Sequence, residues 1–141
     1  MKKYIFEVID EAKKAKTKKA KLEVLKKNES WALKDILKGT LDPKIDWLIP
    51  KGEAPYTPNE GHNAPSNLLK QHKKFQYLVK GVPTYANMST LKRERICIEL
   101  LESIHPEDAE LVVSMINKKP FGGGITPKLV NEAFPNLVST T

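Results

Sequence analysis

Wherever apolar residues recur regularly in this chain they do so at helical spacing, and no stretch alternates apolar and polar residues as a half-buried strand does. Ile5, Val8, Ile9 and Ala12 stand at i, i+3, i+4 and i+7, which predicts a helix that ends in the lysines from Lys13 to Lys16. Thr17 is placed to cap a second helix with Leu22 and Leu25 facing inward, and Asn28 suits its last turn. Ser30 caps a third with Leu33, Ile36 and Leu37 inside, and Gly39 is read as its end. Three short helices with short connections predict a hairpin plus one.

Leu41 to Pro65 breaks the periodicity with five of the ten prolines: Pro43, Pro50, Pro55, Pro58 and Pro65. A connection this long is uncommon in a small domain. Trp47 and Tyr56 within it are expected to pin it to the helical body, with stacking on exposed bases as the alternative. Its acids (Asp42, Asp46, Glu53, Glu60) outnumber Lys44 and Lys51, so it is not expected to face phosphate.

Helical spacing then resumes. Ser66 or Asn67 caps a fourth helix with Leu68, His72, Phe75 and Val79 on one face, ended by Gly81. Lys70, Lys73, Lys74 and Lys80 make it a second basic surface. After a loop from Val82 to Met88, Ser89 caps a fifth helix with Cys97, Leu100, Leu101 and Ile104 inside. Lys92, Arg93 and Arg95 crowd its first turns against the helix dipole, which points to a partner for them or to tertiary ion pairs. His105 to Asp108 opens a sixth helix with Ala109, Val112, Val113 and Ile116 inward. The seventh is capped by Thr126, begins at Pro127, buries Val130, Ala133 and Phe134, and stops at Pro135. Ser139, Thr140 and Thr141 are read as a frayed tail. The expected fold is all-α: one domain of about seven short helices over 1–141, with an irregular connection at 41–65.

Charge singles out two places. Residues 1–38 hold twelve lysines against six acids, and from Lys13 to Lys27 eight lysines meet Glu23 alone. With a net charge of +7, this lysine-rich helical surface is either a phosphate-binding face or a solvated one. Lysine in place of arginine favours phosphate contact over base reading. The second place is Lys118 to Lys128. Gly122, Gly123 and Gly124 feed a helix start, where free N–H groups meet the positive end of the dipole, with Lys118, Lys119 and Lys128 around them. This is either an anion site or a flexible connection.

The run from Asp108 to Asn117, the glycine turn, and the short helix closing in Ala133, Phe134, Pro135, Asn136 and Leu137 resemble the end of the N-terminal DNA-binding domain of bacteriophage ATP-dependent DNA ligases. Thr17 to Asn28 with Leu33 and Lys34 resembles its opening helical hairpin. The two stretches bracket nearly the whole chain in the same order. The resemblance implies a free-standing, non-catalytic phage module that grips duplex DNA, intact or nicked, through phosphates on the minor-groove side with little sequence preference. The implied contacts are Lys18, Lys19, Lys21, Lys26 and Lys27, then Lys118, Lys119, Gly122, Gly123, Gly124, Ile125, Thr126 and Lys128. Replication or repair proteins, a sliding clamp among them, are further partners it suggests.

Chemistry is not expected. The ligase resemblance implies that catalysis needs a Lys-x-Asp-Gly setting in a separate domain, and this chain has neither that tetrapeptide nor a Walker-type loop. His62, His72 and His105 show no metal spacing, and His72 is expected to be a packed histidine. No cofactor is expected. The single Cys97 fits a reducing compartment and a core position. Without a signal core or a run of eighteen apolar residues, a cytoplasmic location away from membranes is expected. The competing reading is a protein–protein adaptor or inhibitor using the proline-rich segment with Trp47 and Tyr56 as its epitope. RNA binding is a weaker third, since no RNP-type aromatic motif appears.

Overall fold

The computed structural model describes residues 3–50, 52 and 55–139, and among these it places seven α-helices and no strand: α1 (Ile5–Lys14), α2 (Lys18–Lys27), α3 (Trp31–Leu41), α4 (Leu68–Gln71), α5 (Thr90–Ser103), α6 (Pro106–Ile116) and α7 (Pro127–Ala133). Thr140 and Thr141, read as part of a frayed tail, and Lys51 and Glu53 of the connection lie outside the described residues. The expected all-α fold is what forms. Helix α6 is its hub. It packs on α1, α3 and α5, and Ala109, Val112 and Met115 have no exposed surface. Helix α2 packs on α1 and α7.

The caps explain why the helices start where they do. Thr17, Ser30, Asn67, Ser89 and Thr126 each accept a backbone N–H from three residues on. His105 opens α6, its Nδ1 accepting the Glu107 N–H at 3.1 Å. Helix α1 borrows a cap. Asp108, buried in α6, accepts the Phe6 N–H at 2.9 Å from 102 residues away.

Four expectations are corrected. Gly39 does not end the third helix, which continues to Leu41. It is a point of close approach: a Cβ there would stand 2.6 Å from both Met115 Sδ and Trp47 Cζ2. The expected fourth helix is α for one turn only and continues as a 3₁₀ segment over His72–Tyr77. Its end is drawn into an isolated antiparallel bridge between Trp47 and Val79, in which Leu48 donates to the Leu78 carbonyl and Lys80 to that of Asp46. Arg93, expected to have an external partner or a tertiary ion pair, has no ion-pair partner among the described residues. It is buried and donates to the Tyr77 carbonyl at 3.0 Å and to that of Tyr85. Ser139 is not frayed: its N–H is held by Asp42 Oδ2 at 3.0 Å, and the Asn131 side chain brackets Val138 through both its N–H and its carbonyl.

The proline-rich connection is tied down along its described length. The Trp47 indole donates to the Gly39 carbonyl at 3.0 Å and meets Phe75 edge-on. Gly52 and Asn117 exchange two hydrogen bonds. Asn59 donates to the carbonyls of Glu102 and Ile104, and Tyr56 packs against the core. Trp47 and Tyr56 are thus partly buried against the helical body, as expected of residues that pin the segment.

Candidate nucleic-acid interface

The sequence nominates a patch of lysines, but a lysine serves a phosphate only if its ammonium is not already committed to the fold. The structure sorts them. Lys21 is committed: its Nζ donates to the carbonyls of Ala12 and Lys13, each at 3.1 Å, and to that of Gly123 at 2.9 Å. The first two belong to the last turn of α1, where no N–H follows to satisfy them. Lys18 pairs with Glu132 of α7 at 2.7 Å. Lys118, in a left-handed conformation (φ 55°) just past α6, donates to the Asp42 carbonyl at 2.7 Å. Lys119 lines a groove shared with Asp10, Glu107 and Glu110, where an incoming phosphate would meet carboxylates.

Lys19, Lys26 and Lys27 are different. All three are exposed on α2, and none has an ion-pair partner among the described residues. Their spacing is i, i+7 and i+8, which places them on one outward stripe with Glu23 between them.

The glycine turn takes a definite shape. Gly122, Gly123 and Gly124 have φ of 75°, 58° and 80°, three left-handed residues in succession that L side chains rarely adopt. Gly123 lies against α1, and a Cβ there would stand 2.8 Å from Lys13 Cβ and 3.1 Å from its Cα. The loop is therefore packed. Ile125 is buried, and its N–H is taken by the Gly122 carbonyl at 3.1 Å, so it offers no donor to a ligand. The Thr126 hydroxyl oxygen accepts the Leu129 N–H. Beyond the loop, Lys18, Lys21, Gly124, Thr126, Lys128, Leu129 and Glu132 line a recess of about 300 Å³. Of the expected contacts, Lys18, Lys21, Gly124, Thr126 and Lys128 line it, Gly122 and Gly123 lie in the loop that leads to it, Lys19, Lys26 and Lys27 are exposed on α2, and Lys118, Lys119 and Ile125 are directed elsewhere.

Sequence reasoning passed over Trp31, at the first position of α3. It begins an outward stripe with Lys34, Asp35 and Lys38, opposite the buried stripe of Leu33, Ile36 and Leu37. It is 70% exposed. Lys34 sits beside it with Nζ 4.7 Å from the indole centroid, 5.3 Å from the Phe134 ring and 2.5 Å from Glu29 Oε2. The signal was a large aromatic out of phase with its helix's apolar positions.

Elsewhere the titratable groups serve packing. His72 Nδ1 lies 2.6 Å from Asp35 Oδ2, joining the 3₁₀ segment to α3. Burial raises the Asp35 carboxyl above its usual range, with the His72 hydrogen bond and charge opposing. The pair lines a cleft of about 480 Å³ with Lys38, Trp47, Lys73 and Phe75, and the lining holds no hydroxyl or thiol nucleophile. Burial pushes the Cys97 thiol to about 11, with Glu94 adding to the rise, so at neutral pH it is not the reactive thiolate. Among the described residues no three His, Cys, Asp or Glu side chains gather to hold a metal ion, and no helix is long and apolar enough to cross a membrane.

No curated protein and no solved structure matches this chain. A family model does, over residues 8–120, a span that takes in the lysines of α2 and Trp31 but stops short of the glycine turn and α7. Covering most of the chain, that match shows that the protein belongs to the family described as a family of unknown function, DUF6433.

Proposed function

We propose that this protein is a non-catalytic module that binds duplex DNA through its phosphates with little sequence preference, acting in the cytoplasm in DNA replication, repair or ligation. The observation that carries the reading is the stripe of Lys19, Lys26 and Lys27: three exposed ammoniums on one face of α2 with no internal carboxylate partner among the described residues. Lys128 and the recess beside Gly124 continue the positive surface onto α7. Lysines of this kind exchange condensed counterions for protein charge, which gives affinity without base reading. The resemblance to the phage ligase domain agrees with this role and supplies its context of duplex, intact or nicked.

The anion site is drawn differently from the sequence expectation. Ile125, Lys118 and Lys119 drop out, and Lys21 holds the loop in place. Replacing Gly123 by a bulky residue would drive a side chain into α1, so it cannot test binding separately from folding.

Fluorescence anisotropy with a labelled duplex at several salt concentrations tests the reading. Replacing Lys19, Lys26 and Lys27 together by glutamate should lower the log–log salt slope by about 2.7, at about 0.9 per phosphate contact. Glutamates at Lys73 and Lys74, on the other basic surface, should leave the slope unchanged. Duplex binding that does not saturate at low salt, or a slope indifferent to the α2 variant, overturns the proposal.

A further inference from the structure

Trp31 is a large aromatic placed where the helix has no core to offer it. Its neighbours on the outward stripe are polar, 70% of it is exposed, and the nearest ring contact is the ammonium of Lys34. Only Asn28, Glu29 and Ser30 separate it from Lys27. A phosphate track along α2 therefore ends at an exposed indole. From Lys19 to Lys27 the axial run is roughly 12 Å at 1.5 Å per residue. That matches about four nucleotides of one strand at about 3.4 Å each, the lower end of the site sizes of proteins that bind single strands.

We propose that Trp31 is a stacking platform for an unpaired base, so that the protein favours DNA in which a single-stranded stretch adjoins duplex over intact duplex. This rests on the DNA-binding reading and deepens it. Within a duplex both faces of every base are already covered by neighbouring bases, and an indole finds nothing to stack on. An unpaired base has a face to give, and any base will serve, because each has a π-face. Lys34 suits the role in a second way. Held between Trp31 and Phe134 and paired with Glu29, its side chain is 18% exposed, so it braces the indole and is not itself presented to a phosphate. The charge around the indole suits a polyanion, since Lys26 and Lys27 lead to it.

The test is anisotropy binding of the full chain to two labelled DNAs, an intact duplex and the same duplex with a four-nucleotide gap, using wild type, Trp31→Ala and Trp31→Phe. Wild type should bind the gapped DNA about tenfold more tightly, the size of one base stacked on an aromatic ring. Trp31→Ala should lose that preference while keeping intact-duplex affinity and its salt slope, and Trp31→Phe should keep most of it. Saturable, salt-dependent duplex binding without a gap preference, or a preference that survives Trp31→Ala, overturns this inference and leaves the module reading standing. Failure to saturate on either DNA at low salt overturns both. Because Trp31 is exposed, its variants should melt with wild type, and circular dichroism checks this.

Discussion

Replacing Lys21 by methionine should cost this protein more stability than replacing any exposed lysine of the same helix. Methionine keeps an unbranched apolar stem, so the loss belongs to the ammonium. That ammonium serves three carbonyls: Ala12 and Lys13 in the last turn of α1, and Gly123 in the left-handed loop. A hydrogen bond from a charged donor contributes about 1.5–3 kcal/mol. The three do not add, because one ammonium is shared and the bonds to Lys13 and Gly123 lie in exposed surroundings. A cation at a helix C-terminus contributes up to about 2 kcal/mol when partly buried. Together these give roughly 2–3 kcal/mol for the node. For a domain of this size that is a fall in Tm of roughly 10 °C. Lys19→Met is the control: Lys19 is exposed with no ion-pair partner among the described residues, so its loss should stay within about 0.5 kcal/mol. Urea denaturation of both variants beside wild type is the assay. If Lys21→Met lies within about 0.5 kcal/mol of wild type, or the two variants are equally destabilised, the node does not hold the loop as argued.

Two other sites give predictions of defined sign. Burial pushes Asp108 up to about 6, with the Phe6 and Ile5 N–H groups opposing and Glu7 and Glu107 adding to the rise. A raised folded pKa means that stability from this group is full below 3.8 and is lost as pH climbs through about 6. Asp108→Asn keeps an acceptor for Phe6 but does not titrate, so over that window it should gain on wild type by up to about 3 kcal/mol; a pH-independent difference in urea midpoints would refute this. Gly39→Ala sets two effects against each other. Helix propensity favours alanine by about 1 kcal/mol, while a Cβ 2.6 Å from Met115 Sδ and Trp47 Cζ2 overpacks the core. Overpacking costs about 1–3 kcal/mol, so Tm should fall, and a rise would show that the contact yields.

The helices were legible because their information is local. Ile5, Val8, Ile9 and Ala12 all proved buried, as did Cys97, Leu100, Leu101 and Ile104, and the capping residues Thr17, Ser30, Ser89 and Thr126 did what their chemistry suggests. What could not be read was where long side chains end. Lys21 and Lys118 looked like surface charge, yet Lys21 reaches Gly123, 102 residues away, and Lys118 reaches Asp42, 76 residues away, at backbone carbonyls that have no residue type to betray them. Gly39 and Gly123 are alike in this. Gly39 was read as a helix end, whereas its requirement comes from Met115 and Trp47, and Gly123, whose positive φ already favours glycine, is held to it a second time by Lys13. The expected fourth helix departs from α at His72, and beyond its 3₁₀ segment the Leu78 carbonyl is taken by Leu48, 30 residues back in the chain. Trp31 was passed over because a search for apolar stripes ignores residues that fall outside them.

Asp42 closes the described chain on itself. Burial alone would raise its carboxyl, but the N–H groups of Ser139 and Lys44 and the charge of Lys38 outweigh that and hold it below its usual range. The bond to Ser139 spans 97 residues, and the Asp108 cap on α1 spans 102. The first three helices are thus completed by groups from the last third of the sequence. Contacts of such separation must meet the entropy of closing a long loop before they return anything, which slows folding relative to a helical protein held by local contacts alone. A fragment cut at residue 120, where the family match ends, would keep Asp108 but lose Gly123 and Ser139. It would leave Lys21 and Asp42 each without one of the groups they are arranged to hold.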